Sequence, residues 1–165
     1  MVRKCLGGSV WLGMAMLSID AYCALARAQG DGMAADEAAI RSALAEYNVA
    51  LNSGKTSLVL PLYTEDGVFM APYSPSSIGQ AAVRKAYDAV FKELTFHVKF
   101  HIAELVQMTP EWAFVRTNSA GTTDHHSIGK TLAEANQELF ILNKGGDGKW
   151  RIARYSFSPT NPPQS

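Results

Sequence analysis

The stretch from Leu44 to Phe91 constrains the fold more than any other part of the chain. A helical stripe carrying Tyr47 stops at Asn52-Ser53-Gly54, and a short apolar run follows from Leu58 to Tyr63 with Pro61 inside it. Asp66-Gly67 then leads into Val68-Phe69-Met70-Ala71, which suits a brief strand, and Pro72, Pro75 and the serines between them make a loop. A second helical stripe opens at Gly79, and beyond it only strand-like segments remain. Helices first and strands afterwards predict an α+β fold, with the helices gathered on one side of a single antiparallel sheet.

The periodicities give the faces. From Asp36 onward, Ile40, Leu44, Tyr47 and Leu51 follow the i, i+4, i+7, i+11 spacing of one helical face. The second helix is expected over about Gln80 to Leu94, with Val83, Tyr87, Val90 or Phe91, and Leu94 on its apolar side. Thr95 to Met108 alternates Phe96, Val98, Phe100 and Ile102 against His97, Lys99 and His101, as a strand with one covered face does. Trp112 to Thr122 is the next strand, Asp124 to Lys130 a polar connection, and a strand starting between Leu132 and Gln137 follows. The last hairpin runs through Glu138 to Asn143, the turn Lys144-Gly-Gly-Asp-Gly148, and Trp150 to Phe157. Long strands curling around two helices leave a cavity at the concave face.

The N-terminus has the three parts of a secretory leader: Arg3 and Lys4, an apolar stretch from Leu6 to Ile19, and the A-x-A site Ala26-Arg27-Ala28. The chain is therefore expected to be cleaved after residue 28 and to be periplasmic or secreted. Residues 29–35 are expected as a flexible lead-in, 36–160 as one domain and 161–165 as a tail. The apolar stretch falls short of the roughly 20 residues a membrane span needs. Both cysteines, Cys5 and Cys23, lie in the leader, and Asp20-Ala21-Tyr22 before Cys23 lacks the lead-in of a lipidation site. The 137 residues after the leader carry 12 basic and 14 acidic side chains, a balance that does not suit nucleic acid.

Few polar residues stand out. Glu138 shares the period-two face of Phe140 and Leu142, where desolvation raises a carboxyl pKa. Tyr47 lies in the apolar stripe of its helix, and the two together would offer two hydrogen-bond donors to a carbonyl or oxyanion. A buried tyrosine–glutamate hydrogen bond that only satisfies both groups is the other reading. His97 and His101, four residues apart on a strand, are separated by roughly 13 Å, too far to share a metal ion. His125, in a polar loop, is the candidate base, with a water held by Asn136 as the alternative. Arg154, on the parity of Trp150 and Ile152, is expected to pair with Glu138 or with a ligand anion. Tyr63, Met70, Phe91 and Phe140 complete the expected pocket. No nucleotide, nucleophile-elbow or metal motif occurs, so no cofactor and no metal are expected.

Three segments, Tyr63-Thr-Glu-Asp-Gly-Val-Phe-Met-Ala-Pro72, Gly79-Gln-Ala-Ala-Val-Arg-Lys-Ala-Tyr87 and Trp150-Arg-Ile-Ala-Arg154, are similar to the SnoaL-like, SgcJ/EcaC-type branch of the nuclear transport factor 2-like superfamily. The resemblance covers about residues 36 to 160. It implies a cystatin-like cone, with the N-terminal helices packed in a curved antiparallel sheet, and often a homodimer. Ketosteroid isomerase, a worked case of pKa tuning, is a distant relative: an aspartate moves the proton while a tyrosine and a protonated carboxylic acid hold the enolate oxygen. Tyr47-Asn-Val-Ala-Leu-Asn-Ser-Gly54 resembles its tyrosine helix, which puts the oxyanion tyrosine at Tyr47 and, counting back through Phe140, the acid at Glu138. The base falls on Ala71, and a methyl group accepts no proton.

Two functions follow from these readings. One is an exported cone domain that binds a small hydrophobic molecule, with a cofactor-free isomerase, cyclase or lyase type of proton transfer. The other is a non-catalytic ligand-binding or homodimeric assembly module.

Overall fold

The computed structural model describes residues 19–161. The charged part and most of the apolar part of the expected leader, residues 1–18, lie outside the described residues, as do the last four residues of the tail. The chain divides into two compact units, residues 1–32 and 33–165, and the described part of the first is helical.

The first helix, α1, spans Ile19–Ser53. Residues 29–35, expected as a flexible lead-in, are helical turns instead, with Met33, Ala34 and Ala35 exposed. Alanine and methionine are strong helix formers, and they carry the helical backbone N-terminally of the apolar stripe. The stripe itself is as expected, with Ile40, Leu44, Tyr47 and Leu51 all buried. After a single turn, α2 (Thr56–Val59), and a 3-10 turn at Leu60–Leu62, strand β1 (Tyr63–Met70) pairs with the two-residue β2 (Ser77–Ile78). Helix α3 spans Gly79–Glu93.

Four long strands follow: β3 (Leu94–Gln107), β4 (Trp112–His125), β5 (Lys130–Lys144) and β6 (Trp150–Pro159). The sheet order is β2-β1-β6-β5-β4-β3, antiparallel except where β1 lies parallel to β6. The polar connection expected over Asp124 to Lys130 is shorter in fact. Strand β4 runs through His125 and β5 begins at Lys130, because each pair from Thr123↔Leu132 to His125↔Lys130 continues the ladder. Buried Thr123 sits within this polar-looking stretch, so one side of it still faces inward.

Two bulges set which side chains face the helices. Between β5 and β6, Ile141 pairs with Arg154 and Leu142 with Ile152, so Ala153 is an extra residue. Trp150 and Ile152 point inward before it; Ala153, Tyr155 and Phe157 do so after it. A second shift, between Ile102 and Glu104, bends β3 against β4.

As the edge strand, β3 has backbone groups without a strand partner, and α1 supplies partners. The amides of Asn48 and Asn52 both donate to the Val98 carbonyl (2.9 and 2.8 Å). Their side-chain oxygens accept from the Phe100 and Val98 N–H groups. Covering an edge in this way blocks pairing with another strand and fixes Val98 and Phe100 over the helix face. The core beneath is aromatic: Phe140 stacks on Tyr155 at 4.2 Å and meets Tyr47 edge-on at 5.5 Å. Burying each such ring contributes on the order of 2–3 kcal/mol.

A polar clamp joins the other end of the core. The Asp36 carboxylate accepts from Lys144 Nζ at 2.6 Å, Trp150 Nε1 at 3.0 Å and Gln107 Nε2 at 3.1 Å. These bonds tie α1 to β5, β6 and β3. The hydrogen bond from Lys144 is the main cause that holds the Asp36 pKa below its ordinary value. We expect Asp36→Ala to cost about 2–4 kcal/mol in urea unfolding followed by tryptophan fluorescence. In the unsubstituted protein a lowered folded pKa means that this contribution is present above about pH 4 and fades as acid protonates the folded carboxylate. The difference between the two proteins should therefore shrink on acidification; a difference that is constant with pH would show that the charge of Asp36 is not what stabilises the clamp.

Candidate functional site

A cavity of about 120 Å³ lies between the helices and the concave face of the sheet. Helix α1 contributes Tyr47 and Leu51 to its wall, and α3 contributes Tyr87 and Val90. From β3 come Leu94, Phe96, Val98 and Phe100, every second residue, as alternation along a strand requires. Phe69 and Ala71 close it from the β1 side, and Tyr155 and Phe157 from β6. Polar atoms enter at Ser119 of β4 and at Glu134 and Asn136 of β5.

A chain of phenols backs one side. The Tyr87 hydroxyl lies 2.7 Å from that of Tyr47 and 2.9 Å from that of Tyr63. All three rings are buried, and burial drives each phenol pKa above its ordinary value, so the hydroxyls stay protonated at neutral pH. Across the cavity, Glu138 is buried one step behind the wall. It accepts from the Thr117 hydroxyl at 2.5 Å and from the Ser119 hydroxyl, and Ser119 is the residue that reaches the cavity. Thr117 faces Glu138 in the strand register, so the pairing follows from the ladder. Desolvation pushes the Glu138 pKa up while the hydroxyl hydrogen bonds pull it back, and the net shift is upward.

The raised value has a testable sign. A carboxyl group whose folded pKa exceeds its unfolded one stabilises the fold fully at pH values below about 4.3, and that contribution is lost as pH rises through the folded pKa. Glu138→Gln removes the titration and keeps an acceptor. The thermal midpoint of the variant relative to the parent is expected to be higher at pH 7 than at pH 4; an equal or reversed difference would mean that Glu138 is not held against its charge.

Of the residues expected at the site, Tyr47 and Asn136 lie on the wall. Tyr63 stands behind Tyr87 in the phenol chain, and Phe140 lies beneath Tyr47 and Tyr155. Phe91 packs on Tyr87 and Phe96 while its neighbour Val90 reaches the cavity, a difference of one position on the helix. Met70 is corrected: it has the parity of Val68 and turns from the core, and Phe69 takes the wall position. Arg154 is corrected too. The extra residue Ala153 reverses its side, and its guanidinium donates to Asp66 (3.4 Å) and to the Ala153 carbonyl (2.6 Å), not to Glu138. His125 is not in a loop: it ends β4 opposite Leu94, half-buried, and is not among the wall residues. His97, on the exposed side of β3, pairs with Asp124 at 3.0 Å.

Sequence reasoning missed Ser119 and Glu134. The first had a signal, since Thr117 and Ser119 continue the inward parity of Ala113 and Val115 toward a cross-strand carboxylate. The second lay where the start of β5 could not be fixed. Ala71, the position that the resemblance gives to the base, does line the cavity.

The profile of the SnoaL-like domain matches residues 44–152, which contain the α1 stripe from Leu44 onward, the whole α3 stripe and most of the wall. The chain belongs to the SnoaL-like family. A ketosteroid isomerase-like protein from Erwinia carotovora atroseptica SCRI1043 is 37% identical, with a TM-score of 0.73 over 76% of this chain and 96% of that one. A conserved protein from Planctomyces limnophilus DSM 3776 is 23% identical, with a TM-score of 0.67 over 76% of this chain and 98% of the other. A domain with a cystatin-like fold from Nostoc punctiforme PCC 73102 is 17% identical, with a TM-score of 0.64 over 78% and 79% of the two chains. These last two share the fold alone. No curated protein matches the chain. Among the described residues of this SnoaL-like domain no helix is long and apolar enough to cross a membrane.

Proposed function

We propose that this SnoaL-like domain takes up one small, mostly apolar molecule in the cavity between α1, α3 and the sheet. The observation that carries the reading is the wall itself: seven of its fifteen residues are aromatic, around a space of about 120 Å³. An apolar cavity of roughly 150 Å³ takes up a benzene ring, so the occupant is of single-ring size in this conformation. Tyr47 is the phenol on one side of the wall, hydrogen-bonded to Tyr87 and through it to Tyr63. Proton transfer in the manner of ketosteroid isomerase has no base at Ala71. Glu134, a carboxylate on the same wall as Asn136, favours a second reading in which a cofactor-free proton transfer uses β5 instead.

Export belongs to the same proposal, supported by the charged, apolar and A-x-A parts of the leader. So does a homodimer through the outer sheet face, supported by exposed Leu139, Val106 and Trp112 there. Cell fractionation and light scattering test these two parts. Uptake is tested by native mass spectrometry of protein purified from the periplasm. We expect an added mass of single-ring size that unfolding releases. Protein that carries no such mass and binds no added toluene would end the uptake reading.

A further inference from the structure

One acceptor at the polar corner of the cavity lacks a donor. Asn136 is 8% exposed, its side chain is on the wall, and its Oδ1 has no hydrogen-bond partner. The amide cannot be turned over to relieve this. Its Nδ2 donates to Glu134 Oε1 at 2.7 Å, and the reversed amide would set two acceptor oxygens at that distance. The other Glu134 oxygen accepts from the Thr123 hydroxyl at 3.4 Å, so the carboxylate that orients Asn136 is itself held. Ser119, opposite Asn136 in the strand register, gives its one proton to Glu138 and turns only lone pairs toward the cavity. A buried acceptor left without a donor costs free energy, and an occupant that brings a proton removes that cost.

We infer that the occupant is a hydroxyl-bearing ring, an alcohol or phenol of single-ring size, whose O–H donates to Asn136 Oδ1. The inference rests on the uptake reading and deepens it. A ketone or ether of the same size leaves Oδ1 unpaired and sets a further acceptor beside Glu134 and Ser119. This polarity differs from the one expected for an oxyanion site, where the protein donates and the ligand accepts.

Titration calorimetry with cyclohexanol, cyclohexanone and methylcyclohexane tests it on the full-length protein. Cyclohexanol is expected to bind about tenfold tighter than cyclohexanone, and Asn136→Leu is expected to abolish that preference. Glu134→Gln, which keeps an acceptor for Asn136 Nδ2, is expected to retain it. A ketone that binds the unsubstituted protein as tightly as the alcohol overturns the inference, whatever the variants do. So does a preference that survives Asn136→Leu and vanishes in Glu134→Gln, because the carboxylate would then be the anchor. If all three rings fail to bind, the hydrocarbon included, the uptake reading itself falls.

Discussion

Replacing Gly121 by alanine is expected to destabilise the protein by about 3 kcal/mol or more, or to prevent folding, with the loss read in thermal and urea unfolding. Gly121 is in β4 directly opposite Val98 of β3. A Cβ placed there would lie 2.0 Å from the His97 carbonyl oxygen and 2.8 Å from the Val98 Cα. Those atoms are backbone and have no rotamer with which to retreat. Nor is β3 free to shift away, because Asn48 and Asn52 hold both backbone groups of Val98 from its other edge. The close approach at Gly121 and the clamp from α1 therefore act on the same residue from opposite sides. An alanine variant within 1 kcal/mol of the parent would show that β3 is not so held.

Ala71→Phe is expected to abolish ligand uptake, with toluene binding weakened at least about 100-fold, while the protein still folds. The side chain at this position faces a space of about 120 Å³, and a phenyl ring is of the size such spaces admit. The substituted ring would take the place of the ligand against Phe69 and Phe157, which already stack at 6.2 Å. Filling a cavity lowers its cost, and overfilling it raises strain, so the thermal midpoint is expected to move by only a few degrees. Toluene binding that persists unchanged would place the binding site elsewhere.

How far the sequence led depends on the kind of element. The two helix stripes were legible because 3.6-residue periodicity survives any packing around it, and Tyr47 was found on the wall for that reason. The inward parity of Phe96, Val98 and Phe100 was equally legible. Arg154 was not, because one extra residue at Ala153 reverses every side chain after it, and nothing in Trp150-Arg-Ile-Ala-Arg marks a bulge. Glu134 was hidden for another reason. Where β5 begins, Glu134 and Asn136 take the inward parity and Ala133 and Ala135 the outward one, so alternation misleads where the buried side is itself threonine, glutamate and asparagine. A polar cavity corner is thus written in the part of the sheet where patterning is weakest.

The phenol chain gives the cavity an end of reversible sense. Three hydroxyls share two hydrogen bonds, and either partner of each bond can give the proton. With protons running from Tyr63 toward Tyr47, the last one is left to point at whatever occupies the cavity. Rotated the other way, the Tyr47 oxygen accepts a hydrogen bond from the occupant, its own O–H turns to Tyr87, that of Tyr87 to Tyr63, and the Tyr63 O–H is the one left over. A molecule turned end for end within the same walls would meet a matching group there, at the cost of three rotations about C–O bonds and no movement of any ring.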